Sequence, residues 1–362
     1  MTTSNPSDVI AFVTGGTGLL GSHIAEQLRL RGVAVRALCR DGSDTRFLKS
    51  IGADIVSGDL NDATALERGC AGADVVYHAA ARVGDWGPWE EFVRFSIDGT
   101  RLLIDAASNA RVHRFLHISS ISVYGHVNGE GKIFDETAPL GVNLGKWSYY
   151  SRAKVEAERL IWAAHKSGRI RATVIRPSWM YGLRDRATMP RLVDNLARGK
   201  VKLIGDGNNR LNVTNAANVA EGAILAATND RAIGEAYNVC HDGVITLRQY
   251  FDRIAMAAGV ARVTRRVPYG IARRAAFLME CWGHLFRTKK PPLVTRYALW
   301  LMGRRCFFEC EKIKRDLGWS SRIGYDEGIP AAVAECVQRR RSAAEPATRA
   351  TSRDKVAVGA AR

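Results

Sequence analysis

The sequence predicts an α/β fold, in which a doubly wound parallel sheet is followed by a smaller, discontinuous C-terminal region. From residue 9, short apolar and β-branched runs alternate with helical patterns, as is typical of a parallel sheet with helices on both faces. After Pro177 the alternation becomes irregular, which places the smaller region there.

Six strands are predicted in the first region, at residues 9–14, 33–39, 54–56, 74–78, 114–119 and 172–176. The helical stretches between them are long enough for right-handed crossovers, and they include residues 20–30, 89–107 and 148–164. Further helices are predicted after Pro177, at residues 190–198, 217–228, 247–258 and 271–286.

The composition excludes several classes of protein. Of 362 residues, 46% are hydrophobic and 25% are charged, as in an ordinary globular protein. No apolar run approaches the roughly 18 residues that span a bilayer, and residues 1–8 lack the pattern of a signal peptide, so a cytoplasmic protein is expected. The seven cysteines show neither disulfide nor metal-site spacing, and Cys306 and Cys310 are predicted to be buried thiols.

The formal net charge of +17 is concentrated near the C-terminus. Residues 262–305 contain eleven Lys and Arg against one acidic residue, and residues 338–362 contain seven against two. Because the basic residues form a segment and a tail rather than a basic body, the charge argues against nucleic acid as a partner.

A glycine-rich turn follows the first predicted strand, where residues 14–21 read Thr-Gly-Gly-Thr-Gly-Leu-Leu-Gly. Glycines permit a tight turn, the close approach of a pyrophosphate and packing of the next helix on the strand. The helix N-terminus adds free N–H groups for the phosphates. The stretch therefore predicts a dinucleotide-binding turn, formed by Gly15, Thr17, Gly18, Leu19, Leu20 and Gly21.

The end of the second strand bears on the choice between NAD and NADP. An acidic residue there would bind the ribose hydroxyls of NAD, but Cys39 occupies that position and Arg40 follows it. A guanidinium suits a 2′-phosphate, so NADP(H) is expected to be preferred, with NAD(H) as the alternative. Asp41 is the acid if the strand ends later than predicted. Asp59 is expected to contact the adenine or, alternatively, to cap a helix at residues 61–69.

Tyr150 is the one tyrosine of ten that has a lysine, Lys154, four residues later. This spacing puts both side chains on one helix face. A phenol has a pKa of about 10, and a nearby ammonium stabilises its anion, so that it exchanges protons nearer neutral pH. The predicted fifth strand ends at Ser119 and Ser120 follows it, at the sheet edge where open α/β folds bind ligands.

Together these motifs resemble the extended short-chain dehydrogenase/reductases of the NAD-dependent epimerase/dehydratase superfamily, to about residue 335. The matching elements are residues 14–21, 58–60, 78–81, 119–120 with 123–125, 150–154, and 176–178 with 181–182. The resemblance implies a dinucleotide-binding Rossmann domain and a mainly substrate-binding region. We place the Rossmann domain at residues 9–180, with about 210–240 returning to it, the second region at 181–335, a flexible segment at 1–8 and a disordered basic tail at 336–362.

By this resemblance, Tyr150 is the proton donor or acceptor, Lys154 lowers its pKa and holds the nicotinamide ribose, and Ser120 orients the carbonyl. Ser120 is favoured over Ser119 because it lies three residues before the Val-Tyr-Gly stretch. The family often has an asparagine where this chain has Ser96, and this departure concerns a local helix contact or a proton relay. Further cofactor contacts are expected from Leu60, Ala79, Ala80 and Pro177.

The later motifs favour one branch of the family. Nucleotide-sugar enzymes commonly carry Arg-x-x-Asn-x-Tyr-Gly-Pro, whereas Trp179 replaces the Asn here and Leu183 the Pro. Residues 204–209, 218–227 and 314–319 look more like the branch of 3β-hydroxysteroid dehydrogenases, sterol-4α-carboxylate 3-dehydrogenases and 2-alkyl-3-oxoalkanoate reductases.

That branch implies an oxidoreductase that interconverts a secondary alcohol and a ketone (3-hydroxy/3-oxo) on a hydrophobic, sterol-like or long-chain small molecule. The alternatives are a nucleotide-sugar epimerase or dehydratase and, less favoured, a non-catalytic dinucleotide sensor. Four tryptophans are predicted to wall an apolar pocket or, alternatively, to serve in plain packing; they are Trp86, Trp89, Trp147 and Trp179.

Residues 271–286 predict an amphipathic helix, because apolar side chains recur on one face. These side chains are Ile271, Ala275, Leu278, Trp282 and Leu285, and the basic residues Arg287, Lys289 and Lys290 follow them. The pattern predicts either peripheral contact of residues 271–305 with the inner membrane face, or a roof over the substrate pocket with a solvated basic rim. A homodimer is left open as an oligomeric state.

Overall fold

The computed structural model describes residues 8–127 and 131–344. Its strands are, in chain order, β1 (Ile10–Thr14), β2 (Ala34–Cys39), β3 (Asp54–Ser57), β4 (Val75–His78), β5 (Arg114–Ile118), β6 (Ile133–Phe134), β7 (Ala172–Pro177), β8 (Trp179–Tyr181), β9 (Leu203–Ile204), β10 (Val213–Asn215), β11 (Ala236–Val239), β12 (Arg266–Val267) and β13 (Phe307–Phe308).

The α-helices of the same residues are α1 (Leu19–Leu30), α2 (Arg46–Ser50), α3 (Ala63–Cys70), α4 (Trp89–Phe92), α5 (Gly99–Asn109), α6 (Tyr149–Lys166), α7 (Thr188–Ala197), α8 (Ala216–Thr228), α9 (Leu247–Ala257), α10 (Tyr269–Leu285), α11 (Arg296–Gly303), α12 (Glu311–Leu317) and α13 (Tyr325–Ala344). None of them combines the length and apolar character that crossing a bilayer requires.

A seven-stranded parallel sheet forms the centre of the molecule, with the strand order β11-β7-β5-β4-β1-β2-β3. The chain runs from β1 through β2 to β3 on one side and then crosses to β4 on the other. The carboxyl ends of β1 and β4 therefore flank the switch point, where such sheets bind ligands. The predicted fold class, a doubly wound parallel sheet, is confirmed.

The two faces of the sheet are buried separately, as the alternation of side chains in β1 shows. Val13 packs in a cluster with residues of α1 and α8, whereas Phe12 faces the opposite cluster formed with α3, α5 and α6. Because both faces are covered, the strands read as nearly continuous apolar runs. This is why six of the seven strands could be located from the sequence to within one or two residues.

The seventh strand, β11, pairs with β7 at the edge of the sheet and lies within residues 210–240, which were expected to return to the Rossmann domain but were given no strand bounds. Its four residues lie beyond the regular alternation, and only the pairing with β7 makes them a strand.

The helix predicted at 89–107 is interrupted, because residues 93–98 form a π-helix between α4 and α5. Cys306 and Cys310 are buried free thiols, as predicted.

The C-terminal region has a core of its own, formed by α7, α9, α13 and the short strands β8, β9 and β10. The last helix, α13, extends to residue 344, so residues 336–344 are helical rather than part of a disordered tail. Cys336 is buried in this core, and Arg340 donates hydrogen bonds to Asp194 and the Pro190 carbonyl, which holds the end of the helix. The remaining predicted tail and residues 1–7 lie outside the described residues.

Candidate active site

The glycine turn connects β1 to α1 at the switch point of the sheet. Gly15 has a φ of +75°, and a Cβ there would lie 2.8 Å from the Ala80 nitrogen; a Cβ on Gly21 would lie 2.1 Å from the Gly15 carbonyl oxygen. Neither site has room for a side chain. Gly18 is the N-cap residue of α1, and its surroundings are more open, because a Cβ there would lie 3.2 Å from the Gly15 carbonyl oxygen. The turn therefore leaves helix N–H groups facing a cavity, which fits the pyrophosphate of a dinucleotide.

Two connected cavities extend from this turn. One, of about 470 Å³, reaches from the turn to the ends of β5 and β7, and the other, of about 630 Å³, reaches to the ends of β2 and β3. Every residue predicted to bind the cofactor lines one of the two. These residues are Gly15, Thr17, Gly18, Leu19, Leu20, Gly21, Arg40, Asp59, Leu60, Ala79, Ala80, Tyr150, Lys154 and Pro177.

β2 ends at the buried Cys39, as predicted. Cys39 therefore occupies the position that bears on the choice between NAD and NADP. Arg40 is exposed, and within residues 8–127 and 131–344 its guanidinium makes no ion pair. Asp41 instead accepts a hydrogen bond from Ser57. Arg186 lines the same cavity of about 660 Å³ as Arg40, next to the glycine turn. Nothing in the local sequence marks Arg186, because it comes from a loop after β8.

Asp59 lines the cavity that reaches the ends of β2 and β3, and it is not the N-cap residue of α3. Its carboxylate accepts a hydrogen bond of 2.7 Å from the Asn61 nitrogen. The N-cap of α3 is Asp62, whose carboxylate accepts from the Ala65 nitrogen at 3.0 Å. The alternative interpretation of Asp59 as the cap therefore does not hold.

Tyr150, Lys154 and Ser120 converge at the cavity beside the glycine turn. The buried Lys154 ammonium donates a hydrogen bond of 2.8 Å to the Ile118 carbonyl, so it lies against the end of β5. Burial lowers the pKa of Lys154 to about 8, although Glu158 acts to raise it. Burial also raises the pKa of Tyr150, and the Ser120 hydroxyl partly offsets this rise.

The two serines after β5 have different surroundings. Ser119 donates a hydrogen bond of 2.5 Å to Glu158, which is fully buried and also forms an ion pair of 2.5 Å with Arg176. The Ser120 hydroxyl accepts from the Ser122 nitrogen at 3.1 Å and interacts with Tyr150. The contacts therefore support Ser120, and not Ser119, as the hydroxyl next to the phenol.

Ser96 lies in the π-helix and belongs to a buried hydrogen-bond chain that the sequence did not reveal. The Thr100 hydroxyl donates to the Ser96 carbonyl at 2.6 Å, and His78 bridges Thr100 and Thr14 at 2.9 Å on each side. The Thr14 hydroxyl then accepts from the Ala80 nitrogen at 3.2 Å. Burial lowers the pKa of His78 to about 3, so the ring stays neutral and the chain links the π-helix to the glycine turn.

A third cavity, of about 420 Å³, opens on the other side of Tyr150. Its walls include Trp147, Trp300, Tyr269 and Tyr297. Of the four tryptophans predicted to wall a pocket, Trp147 lines this cavity and Trp179 lines the cavity of about 470 Å³ that begins at the glycine turn. Trp86 and Trp89 line none of the three cavities, so the prediction is wrong for these two.

Trp86 and Trp89 pack elsewhere because each has its own partner. The Trp86 indole donates a hydrogen bond of 2.9 Å to the Thr288 carbonyl and lies 4.5 Å from the His284 ring, measured between ring centroids. The Arg152 guanidinium lies 4.6 Å from the centre of the Trp89 ring. These two tryptophans therefore serve in packing, as the packing alternative predicted.

Comparison with known proteins gives a family and several relatives. Residues 11–240 match the NAD dependent epimerase/dehydratase family. The chain is 31% identical to the 4-hydroxy-2-methyl-3-oxo-4-farnesyl-3,4-dihydroquinoline-1-oxide ketoreductase of Stigmatella aurantiaca, over 88% of this chain and 94% of the relative. It is 26% identical to the 2-alkyl-3-oxoalkanoate reductase of Shewanella oneidensis (88% and 84% covered) and 30% identical to the sterol-4-alpha-carboxylate 3-dehydrogenase, decarboxylating, of Mus musculus (89% of each).

Among solved structures, the chain is similar to gox2253, with a TM-score of 0.77 and 29% identity over 92% of this chain and 99% of that one. It is also similar in fold to a UDP-glucuronic acid 4-epimerase from Bacillus cereus in complex with NAD, with a TM-score of 0.70 and 21% identity (91% and 99% covered).

Proposed function

The chain belongs to the NAD dependent epimerase/dehydratase family, and we propose that it is an NAD(P)-dependent oxidoreductase that interconverts a secondary alcohol and a ketone on a hydrophobic 3-hydroxy/3-oxo substrate. One observation carries this proposal. Tyr150 lines both the cavity that begins at the glycine turn and the cavity walled by aromatic side chains. A proton-transferring phenol is thus accessible from the cofactor side and from the substrate side.

The proposed roles follow from the contacts of each side chain. Ser120 holds the substrate oxygen next to the Tyr150 hydroxyl, and Tyr150 gives its proton to that oxygen during ketone reduction or takes it back during alcohol oxidation. The Lys154 ammonium, anchored on the Ile118 carbonyl, stabilises the phenolate that remains. The nicotinamide dinucleotide supplies or accepts the hydride when bound. Residues 9–180, with about 210–240, form the cofactor domain, and residues 181–335 form most of the substrate region.

The character of the substrate is supported by the relatives and by the site. The curated relatives are named for a farnesyl dihydroquinoline, an alkanoate and a sterol, all of them largely hydrocarbon. Trp179 and Leu183 replace residues that nucleotide-sugar enzymes commonly carry. The nucleotide-sugar alternative is favoured by solved structures such as the UDP-glucuronic acid 4-epimerase, but at 21% identity this likeness shows the fold alone.

The function is tested by following nicotinamide absorbance with a panel of substrates. The panel contains 3-oxo and 3-hydroxy steroids, 3-oxo long-chain acids, UDP-sugars and dTDP-sugars. We expect NADPH oxidation with at least one hydrophobic ketone and no conversion of the sugars. Conversion of a nucleotide sugar without conversion of any hydrophobic ketone would establish the alternative function instead.

The preference for NADP(H) is the next part of the proposal. Arg40 and Arg186 both line the cavity beside Thr17 and Gly18. Arg186 also forms an ion pair of 3.3 Å with Asp44, whereas Arg40 makes none with a residue that the structure describes. A free guanidinium at the end of β2 suits bidentate contact with a 2′-phosphate.

Replacing Arg40 by Ala is expected to weaken NADPH binding by about 10- to 100-fold, because a charge-assisted hydrogen bond contributes about 1.5–3 kcal/mol. NADH binding should change little. Fluorescence titration of both cofactors measures the two dissociation constants. Arg101→Ala, which removes an exposed arginine of α5 that pairs with Asp98, is the control. If NADH binds more tightly than NADPH and Arg40→Ala changes neither constant, the preference is absent.

We further propose that this is a cytoplasmic enzyme that docks on the inner membrane face through the outward side of α10. Ala272, Ala276, Glu280 and Gly283 face inward and are buried. The predicted apolar face points outward, with Ile271, Leu278, Trp282 and Leu285 exposed by 58%, 66%, 65% and 75%. Contiguous exposed apolar side chains on a soluble surface indicate an interaction site.

The charges next to this face favour an anionic lipid surface as the partner. Arg273 and Arg274 within α10 are exposed, and so are Arg287, Lys289 and Lys290 directly after it. The one acidic residue of the segment, Glu280, is turned inward and paired with Arg296 at 2.6 Å. The outward surface therefore combines apolar side chains with basic side chains that form no ion pair with any residue the structure describes, which suits insertion at an anionic interface.

Cosedimentation with vesicles tests the docking. Binding to phosphatidylglycerol vesicles is expected at low salt, with weaker binding at high salt and to phosphatidylcholine, because each basic residue contributes about 1 kcal/mol. Leu278→Ser with Trp282→Ser should remove most of the binding. Leu30→Ser, at an apolar residue of α1 that is 82% exposed, is the matched control. If the wild type does not bind anionic vesicles in a salt-dependent manner, only the pocket-roof role of α10 remains.

A further inference from the structure

A second phenol lies at the junction between the cofactor side and the substrate side of the site. The cavity of about 470 Å³ and the cavity of about 420 Å³ share three lining residues, Asp85, Tyr150 and Tyr297. Both phenols therefore line each of the two cavities. Tyr297 belongs to α11, in the C-terminal region, and no part of the sequence pattern around it marks it as a site residue.

The two phenols lie close together, and they line the cavity of about 470 Å³ together with Ser120. Their ring centroids are 5.8 Å apart, with the planes inclined at 61°. Burial raises the pKa of Tyr297 well above its usual range, and the neighbouring Ser120 and Ser122 hydroxyls act to lower it. The same Ser120 hydroxyl also acts on Tyr150. Ser120 thus lies next to both phenols.

Several contacts fix the position of Tyr297. The Thr295 side chain caps α11 by accepting from the Ala298 nitrogen at 3.1 Å, and its hydroxyl donates to Asp85. One turn further along, the Trp300 indole donates a hydrogen bond of 3.2 Å to the Val127 carbonyl. These anchors hold the first turn of α11 against the site. A side chain that is held in this way is suited to act without reorganisation.

We propose that Tyr297 is a further catalytic residue, whose hydroxyl donates a hydrogen bond to the substrate oxygen while Tyr150 transfers the proton. This inference rests on the proposed oxidoreductase function. As hydride reaches the carbonyl carbon, the carbonyl π bond breaks and its electron pair moves to the oxygen. The oxygen takes the proton of Tyr150, which becomes a phenolate. Tyr297 keeps its own proton throughout, and its hydrogen bond strengthens as negative charge develops on the oxygen.

The chemistry explains why two phenols are useful at one oxygen. A developing alkoxide accepts more than one hydrogen bond, and donors placed in advance are most effective where water is excluded. A donor that must not lose its proton needs a high pKa, and burial between aromatic rings provides this at Tyr297. The acid and the retained donor are then different residues with different environments.

Tyr297→Phe removes the hydroxyl and keeps the ring. With the hydrophobic ketone of the substrate panel that is reduced fastest, kcat is expected to fall about 10- to 100-fold, the size of a charge-assisted hydrogen bond. KM, the NADPH dissociation constant and the melting temperature should stay close to those of the wild type. The pH profile of kcat should keep its shape, because the proton still comes from Tyr150. Tyr297→His, which restores a donor, should recover part of kcat.

Tyr237→Phe is the matched control, since Tyr237 is also a buried phenol but lines neither of the two cavities that meet at Tyr150. Its kcat should remain within about twofold of the wild type. A normal kcat in Tyr297→Phe, or a rise in KM alone, would show that Tyr297 is only a wall of the pocket and would overturn the inference while the proposed function stands. Loss of kcat in Tyr297→Phe with no recovery in Tyr297→His would also overturn it. If the wild type reduces no ketone of the panel, both proposals fall together.

Discussion

Replacing Tyr150 by Phe is expected to lower kcat for ketone reduction by about 10²- to 10⁴-fold, the range that general acid catalysis contributes. The substitution removes one hydroxyl from the junction of the two cavities and leaves the ring in place. Binding of NADPH should be retained, because the glycine turn is unchanged. Steady-state kinetics with the panel ketone, together with a fluorescence titration of NADPH, separates the two effects.

Tyr149→Phe is the control for this experiment, because Tyr149 precedes Tyr150 on α6 and has a different environment. Its ring lies 5.5 Å from Trp89 and 6.1 Å from Phe92, measured between ring centroids. Tyr149 lines neither of the two cavities that meet at Tyr150. Turnover in Tyr149→Phe should therefore be nearly normal. Equal losses in the two variants, or near-normal turnover without the Tyr150 hydroxyl, would rule out Tyr150 as the acid.

Replacing Glu158 by Gln is expected to lower the free energy of unfolding by about 3–5 kcal/mol, because it leaves the buried Arg176 charge without its counter-ion. Glu158 is fully buried, and the Arg176 guanidinium contacts it through hydrogen bonds of 2.5 and 3.1 Å. The same carboxylate accepts from Ser119 and from the Trp162 indole. Urea unfolding measures the change.

The matched control is Glu156→Gln on the same helix. Glu156 pairs with Arg159 at 2.7 Å, but both side chains are about half exposed. Exposed pairs of this kind contribute about 0–1 kcal/mol. A destabilisation of Glu158→Gln as small as that of Glu156→Gln would show that the buried pair does not stabilise the fold.

Because Ser119 precedes Ser120, Glu158→Gln is also expected to reduce turnover by displacing the end of β5.

The sequence by itself determined the features that depend on local spacing. The glycine turn was recognisable because neighbouring backbone atoms leave no room for a side chain at Gly15 or Gly21, so that only glycine fits at these two positions. The Tyr150–Lys154 pair was recognisable because four residues make about one helical turn. The strands of the sheet were recognisable because burial of both faces requires continuous apolar runs. The family resemblance is confirmed on these features.

Other features of the site depend on which distant segments the fold brings together. Arg186 shares a cavity with Arg40, and Tyr297 faces Tyr150, although each pair is far apart in the chain. No periodicity or spacing relates such residues, because their proximity is produced by the packing of the C-terminal region on the sheet.

The orientation of α10 is decided in the same way. Its amphipathic pattern identifies two faces but not which of them is buried. The small residues Ala272, Ala276 and Gly283 allow close packing, and the Glu280 carboxylate finds Arg296 on the neighbouring helix. The face with the larger apolar side chains is therefore turned outward. Only the tertiary structure could decide this, because burial of a helix face depends on the shape and charge of the surface it meets.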